Sequence, residues 1–181
     1  ITKGAWEMTD MMHLKAIEII SHWLPSSVEG NPVAREKMAL GQYIAGMGFS
    51  NVGLGIVHSM AHPLSALYDI PHGAACAMLL CPVLRYNAPA AGARYREIGK
   101  VMDVPGISEM STEGAITATI DAIQALADKV GIPRKITEAS PKVKAEDVDF
   151  LAESAMADAC TPGNPRNPTK EDIIAIYKSV M

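Results

Sequence analysis

A chain of 181 residues, 49% hydrophobic and 20% charged, is long enough to bury one good core, so a single domain is the default expectation. A net charge of -4 and a pI near 5.7 leave no basic footprint for nucleic acid. No apolar run approaches the roughly 18 residues of a membrane span, since the longest, Ala74 to Leu84, is interrupted by Pro82, and no signal peptide is evident; neither nucleic acid nor membrane is an expected partner.

Aromatic residues make up only 5% while Met reaches 11, so the core is expected to be filled by Ala, Ile, Leu, Val and Met, a mix that favours helices over sheets. The three cysteines, Cys76, Cys81 and Cys160, form an odd set without C-x2-C spacing. That argues against a disulfide framework and against a thiolate zinc site, and points to a reducing cytoplasm. The chain starts at Ile1 with helical sequence almost at once, and is expected to be a piece of something longer.

The first helix is expected from about Thr9 to Trp23, with Met11, Leu14, Ile17, Ile19 and Ile20 on its apolar face, Thr9 or Asp10 as cap and Pro25-Ser26-Ser27 as its end. His13 and His22 ride on it as surface or rim residues. Asn31-Pro32 starts the second helix, an N-cap followed by the helical position that suits proline. Its small residues Gly41, Ala45, Gly46 and Gly48 let another backbone approach closely and place it at the domain centre, with Phe49-Ser50-Asn51 as linker. A third helix is expected over Leu54 to Tyr68, a fourth from His72 to about Tyr86-Asn87, and others near Ala91 to Met102, Ser111 to Val130 with Gly131 as stop, and Ala145 to Ala159. Thr169, with Asp172 three residues later, caps the last helix through Val180. Strand-like alternation is absent, and an all-α domain of about seven helices, a helical bundle, is the predicted fold class.

The stretch Gly53 to Gly73, GLGIVHSMAHPLSALYDIPHG, holds three of the five histidines. In a helix His58 and His62 are i and i+4, on one face and about 6 Å apart along the axis. His72 follows Pro71 at the start of the next helix, so imidazoles from successive helices can meet at one point, as a metal-and-proton site requires. The alternative is that each is a hydrogen-bonded core histidine. A zinc protease would want H-E-x-x-H, and Ser59, Met60 and Ala61 between the two histidines offer no base for activating water. Two histidines alone are half a metal site, since first-row metals take four or more ligands. Asp69 reads as a helix-end residue. In Cys160 to Asn167, CTPGNPRN, Arg166 could meet an anion, but the segment reads more simply as a connector with a surface charge.

Taken together, GMGFSNVGLGIVHSMAHPLSALYDIPHG and DACTPGNPRNPT resemble the iron-containing (group III) alcohol dehydrogenases, closest to the lactaldehyde reductase and propanediol oxidoreductase branch. The likeness runs from Ile1 to Met181 through GAWEMTDMMHLKAIEII, GQYIAGMGFSN, LRYNA, VGIP and the final helix. It implies the C-terminal all-helical metal-binding domain of a two-domain enzyme whose N-terminal α/β domain binds NAD or NADP. The implied metal is divalent, iron(II) first and zinc second. In the family pattern an Asp and a His one helical turn apart supply two ligands upstream of Ile1, and two histidines fourteen residues apart, the spacing of His58 and His72, complete the set. By the same matching His62 is the catalytic residue, a proton relay beside the reacting hydroxyl, while Phe49, Leu54 and Cys160 line the substrate pocket.

The implied reaction interconverts small primary alcohols or diols and aldehydes, with the metal as Lewis acid and hydride passing to or from the nicotinamide. The implied parent enzyme is a homo-oligomer. This chain has no G-x-G-x-x-G or comparable phosphate loop, so residues that contact the cofactor pyrophosphate are not expected here and the chain alone is expected to be inactive. Two readings compete: a glycerol dehydrogenase or dehydroquinate synthase relative, against which the His58–His72 spacing and the PHG motif speak, and a catalytically inactive helical module serving assembly or interaction.

Overall fold

The computed structural model describes residues 1–181 and is entirely helical, without a strand. Eight helices are present: α1 (Glu7–Val28), α2 (Pro32–Val52), α3 (Ile56–Tyr68), α4 (His72–Val101), α5 (Thr112–Lys129), α6 (Ile136–Ala139), α7 (Val148–Ala157) and α8 (Lys170–Ser179). None is long and apolar enough to cross a membrane. The chain divides into two compact units, one built mainly from Lys3–Gly53 and Ala88–Val130, the other from Leu54–Asn87 and Gly131–Met181.

Local signals set most of the helix ends. Asn31 Oδ1 accepts from the backbone N–H groups of Val33 and Ala34 at 2.9 and 3.1 Å, with Pro32 as the first helical residue. Ser111 caps α5, and Thr169 and Asp172 close the reciprocal box expected at the start of α8. Two expectations are corrected. Helix α1 runs through Pro25 to Val28, because a proline near the end of a helix removes one hydrogen bond while Glu29 N–H still donates to the Pro25 carbonyl at 3.1 Å. Helix α2 continues through Phe49-Ser50-Asn51 and stops at Gly53, whose φ of 74° suits glycine. The two helices expected at 72–87 and 91–102 are both present as the two halves of α4, which meet at a kink where Ala91 leaves helical geometry two residues after Pro89. The one-turn helix α6 is additional, and with the kinked α4 counted once the total is eight, in keeping with the expected bundle of about seven.

In the first unit α2 lies along α1, and its glycines allow the approach: a Cβ on Gly41 would stand 3.0 Å from Ile19 Cγ2, and one on Gly48 would fall 2.5 Å from His13 Nε2. The opposite face of α2 is not central, since Leu40 and Tyr43 are 48% and 62% exposed. The second half of α4 packs on α5, where the Thr119 hydroxyl donates to the buried Tyr95 carbonyl at 2.9 Å. His22 sits at the rim, its Nε2 2.7 Å from Asp103 Oδ2.

The second unit holds the main apolar core. Ile56, Met60, Leu64 and Leu79 from α3 and α4 meet Ile136, Leu151, Ala155, Ile173 and Tyr177 from α6, α7 and α8. Each such side chain contributes about 1.5–3 kcal/mol when fully buried. The Tyr177 hydroxyl donates to the Met60 carbonyl at 2.7 Å, which fixes the last helix on the middle of α3.

A test of the packing in the first unit is Gly99→Ala. Its Cβ would stand 2.6 Å from Thr119 Oγ1 and 2.8 Å from Ile107 Cγ1. Overpacking of this kind costs about 1–3 kcal/mol, more than the ~1 kcal/mol that alanine gains in helix propensity. Urea unfolding should show a net loss, and an unchanged or raised midpoint would contradict the packing.

Candidate metal centre

Helix α3 has glycine at its N-cap, Gly55, and so no side chain of its own to cap its first turn. The Asn164 Oδ1, from the loop after α7, accepts from Ile56 N–H at 3.4 Å instead. Asn164 is 1% exposed. Its amide pairs reciprocally with Asn87, at 3.0 Å (Asn87 Nδ2 to Asn164 Oδ1) and 2.8 Å (Asn164 Nδ2 to Asn87 Oδ1), and also donates to the Arg166 carbonyl at 2.8 Å. Gly163 admits this arrangement, because a Cβ there would run into the Leu54 carbonyl.

Helix α3 ends at Asp69, in the left-handed region with φ 58°. Pro71 then starts α4 by accepting Ala75 N–H at 3.0 Å. This three-residue reversal returns the chain beside the helix it has just left. His58 and His62, one turn apart on α3, therefore meet His72 in the first turn of α4. Ring centroids are 5.5 Å apart for His58–His72 and His62–His72, and 6.2 Å for His58–His62.

The three rings stand in two different settings. His62 Nδ1 lies 2.7 Å from Asp158 Oδ2, and the other carboxylate oxygen, Oδ1, accepts from the Cys160 backbone N–H at 2.8 Å. Desolvation pulls the Asp158 carboxyl upward, but the hydrogen bonds from His62 and Cys160 together outweigh it and hold it below the usual carboxylate range. Burial pushes the Cys160 thiol up to about 11, with the Asp158 carboxylate adding to the effect. His58 and His72 have no carboxylate partner. Burial, then the neighbouring His72 and His62, lower the His58 pKa and favour its neutral form, which is the form that ligates metals. Ligand atoms of His58, His72 and Cys76 all lie within 4.8 Å of one another, as do those of His62, Asp158 and Cys160.

Two imidazoles converging from successive helices fit a first-row divalent cation, for which imidazole nitrogen is a preferred donor. His62, tied to Asp158, is placed to hold or pass a proton. Among the pocket residues expected from sequence, Cys160 adjoins this group through Asp158, and Leu54 packs its backbone against Gly163. Phe49 belongs to the other unit, near the end of α2, and is 42% exposed. Asp69 is the helix-end residue expected, held by Lys142 at 3.1 Å. Arg166 differs from the expected surface charge: its guanidinium lies 4.0 Å over the Tyr86 ring and donates to the Tyr86 carbonyl at 2.5 Å.

Three residues at the site are absent from the sequence-derived list: Asp158, Cys76 and Asn164. Only Cys76 had a local signal, lying one turn after His72.

The chain is similar to known proteins over its whole length. Residues 1–181 match the sequence profile described as Fe-containing alcohol dehydrogenase family, C-terminal. Lactaldehyde reductase of Escherichia coli strain K12 is 54% identical over 177 residues, covering 98% of this chain and 46% of that protein. NAD-dependent methanol dehydrogenase of Bacillus methanolicus is 36% identical over 183 residues, covering 100% and 47%. A crystal structure of 1,3-propanediol oxidoreductase superposes with a TM-score of 0.95 at 38% identity, covering 99% of this chain and 47% of that one. The chain thus spans about half the length of the curated relatives it matches.

Asn164→Ala removes the cap of α3 and leaves the buried Asn87 amide without its partner. A loss of about 2–4 kcal/mol is expected, since several buried polar groups lose their bonds together. Equilibrium denaturation should show it, and a change under 1 kcal/mol would mean that water or a neighbour replaces the amide.

Proposed function

Because this chain belongs to the Fe-containing alcohol dehydrogenase family, as its C-terminal region, we propose that it is the metal-holding half of an NAD(P)-dependent dehydrogenase. The full-length protein would interconvert small primary alcohols or diols and aldehydes, of the lactaldehyde and propanediol type. Residues 1–181 would act as one metal-binding domain, in a homo-oligomer in the cytoplasm. The observation that carries the reading is the meeting of His58 and His72 at 5.5 Å between ring centroids, with His62 beside both.

In this reading His58 and His72 hold a divalent cation, iron(II) in the first place and zinc in the second, together with ligands from the rest of the protein. When bound, the cation supplies Lewis acidity toward an alcohol or carbonyl oxygen, and the nicotinamide supplies the hydride acceptor or donor. His62 exchanges the hydroxyl proton. Its Nδ1 is engaged by Asp158 at 2.7 Å, so Nε2 is the nitrogen left for the substrate side. Cys160, beside Asp158, and Leu54 line the substrate pocket. The support for a lactaldehyde-type substrate is the 54% identity to lactaldehyde reductase.

Elemental analysis of the full-length protein tests the ligand assignment. His58→Ala and His72→Ala should each abolish stoichiometric metal retention, and metal kept by either variant would remove that residue from the ligand set. No metal in the unmodified full-length protein would favour a non-catalytic helical module. His62→Ala should retain the metal and lower alcohol-dependent NAD(P) reduction by roughly 100- to 10,000-fold, the usual worth of a positioned acid–base group. If the metal is lost as well, His62 is a ligand and not a relay.

A further inference from the structure

We propose that Cys76 is a sulfur ligand of the same metal, giving this chain a two-nitrogen, one-sulfur donor set: His58, His72 and Cys76. The inference rests on the metal-site reading above and deepens it.

The distances carry it. Cys76 follows His72 by one helical turn on α4, so the two side chains leave the helix on one face. Cys76 Sγ lies 3.5 Å from His72 Nε2. A cation with a metal–sulfur bond of about 2.3 Å and a metal–nitrogen bond of about 2.0–2.1 Å separates adjacent sulfur and nitrogen ligands by about 3.1 Å at a right angle and about 3.6 Å at the tetrahedral angle. Nitrogen and sulfur already stand at that spacing, and His58 closes the triangle with every ligand atom within 4.8 Å of the others.

The chemistry follows from the donor types. A cysteine thiol ordinarily titrates at about 8.5 and so carries its proton at neutral pH until a cation arrives. Coordination then forms the metal–sulfur bond, breaks the S–H bond and releases the proton to solvent, with no change in oxidation state. The thiolate brings one negative charge to a site that otherwise offers neutral imidazoles. Its softness shifts preference toward zinc and cobalt relative to a set built only from imidazole and carboxylate. Cys160 does not compete for the role, because it belongs to the group around His62 and Asp158.

Cobalt(II) is the probe. The full-length protein is stripped with chelator, loaded with Co(II), and followed by near-ultraviolet absorption together with elemental analysis. A thiolate-to-cobalt charge-transfer band should appear, survive Cys160→Ala and vanish in Cys76→Ser and Cys76→Ala. The same Cys76 variants should lower the ratio of zinc to iron(II) retained from an equimolar mixture by roughly 10- to 100-fold, the scale on which even the outer partners of a ligand act. Stoichiometric cobalt that depends on His58 but shows no sulfur band overturns the Cys76 assignment and leaves the histidine site intact. A band lost only in Cys160→Ala moves the sulfur ligand to the other group and also overturns it. Cobalt that is not retained, or is retained regardless of His58, overturns both this inference and the reading beneath it.

Discussion

The candidate site depends on one buried amide. Asn164 closes three segments into one piece: the start of α3, which carries two of the histidines, the α4 residue Asn87, and its own loop, which begins just after Asp158 and Cys160. An amide is the side chain suited to this task because it donates and accepts at once, so it can pair with a second amide and still cap a helix. A local cap at Gly55 would be the ordinary solution. It is blocked here, since any Cβ at that position would stand 3.0 Å from Asn164 Oδ1. The helix that presents His58 is thus capped from a residue more than a hundred positions away, and its position is tied to the loop that holds Asp158.

That arrangement explains what could be read from the sequence and what could not. Features written in neighbouring residues were legible: the Asn31-Pro32 start, the Thr169–Asp172 box and the one-turn spacing of His58 and His62. The convergence with His72 was also legible, because only Asp69-Ile70-Pro71 separate the two helices and a reversal that short leaves little choice. Family membership was visible in the long run of matching motifs and agrees with the profile match over residues 1–181. Asp158 was not legible. It sits 96 positions from His62 and follows a helix with other acidic residues, so nothing local sets it apart from a solvated charge. The same holds for Arg166, which looked like a surface cation and lies over a tyrosine 80 positions away.

One proline misled. Pro25 was expected to end α1, yet the helix runs on to Val28, whereas Pro82 lies inside a helix as expected and Pro89 just precedes the kink at Ala91. A proline costs about 3 kcal/mol in an isolated helix interior, but a helix packed along its length has more than that from burial. The first half of α4 places Ala75, Met78, Leu79 and Val83 in the main core. That burial outweighs the missing hydrogen bonds, and local propensity gives way to tertiary packing.

The cysteines show why pattern rules can overlook a metal site. Spacing rules for thiolate sites look for cysteine beside cysteine, and on that basis the three cysteines here point away from metal. The structure pairs one of them with histidine instead, through the helix periodicity that also pairs His58 with His62. Electrostatics give that pairing a purpose. The two imidazoles of this chain are neutral as ligands and leave the charge of a dication to be offset by others, and in a half-buried setting uncompensated charge is expensive. The nearby carboxylate, Asp158, is already committed to His62 and to the Cys160 N–H. Charge compensation from this chain would come from a group that is neutral without metal and anionic with it, and the half-buried Cys76 thiol within reach of His72 is such a group.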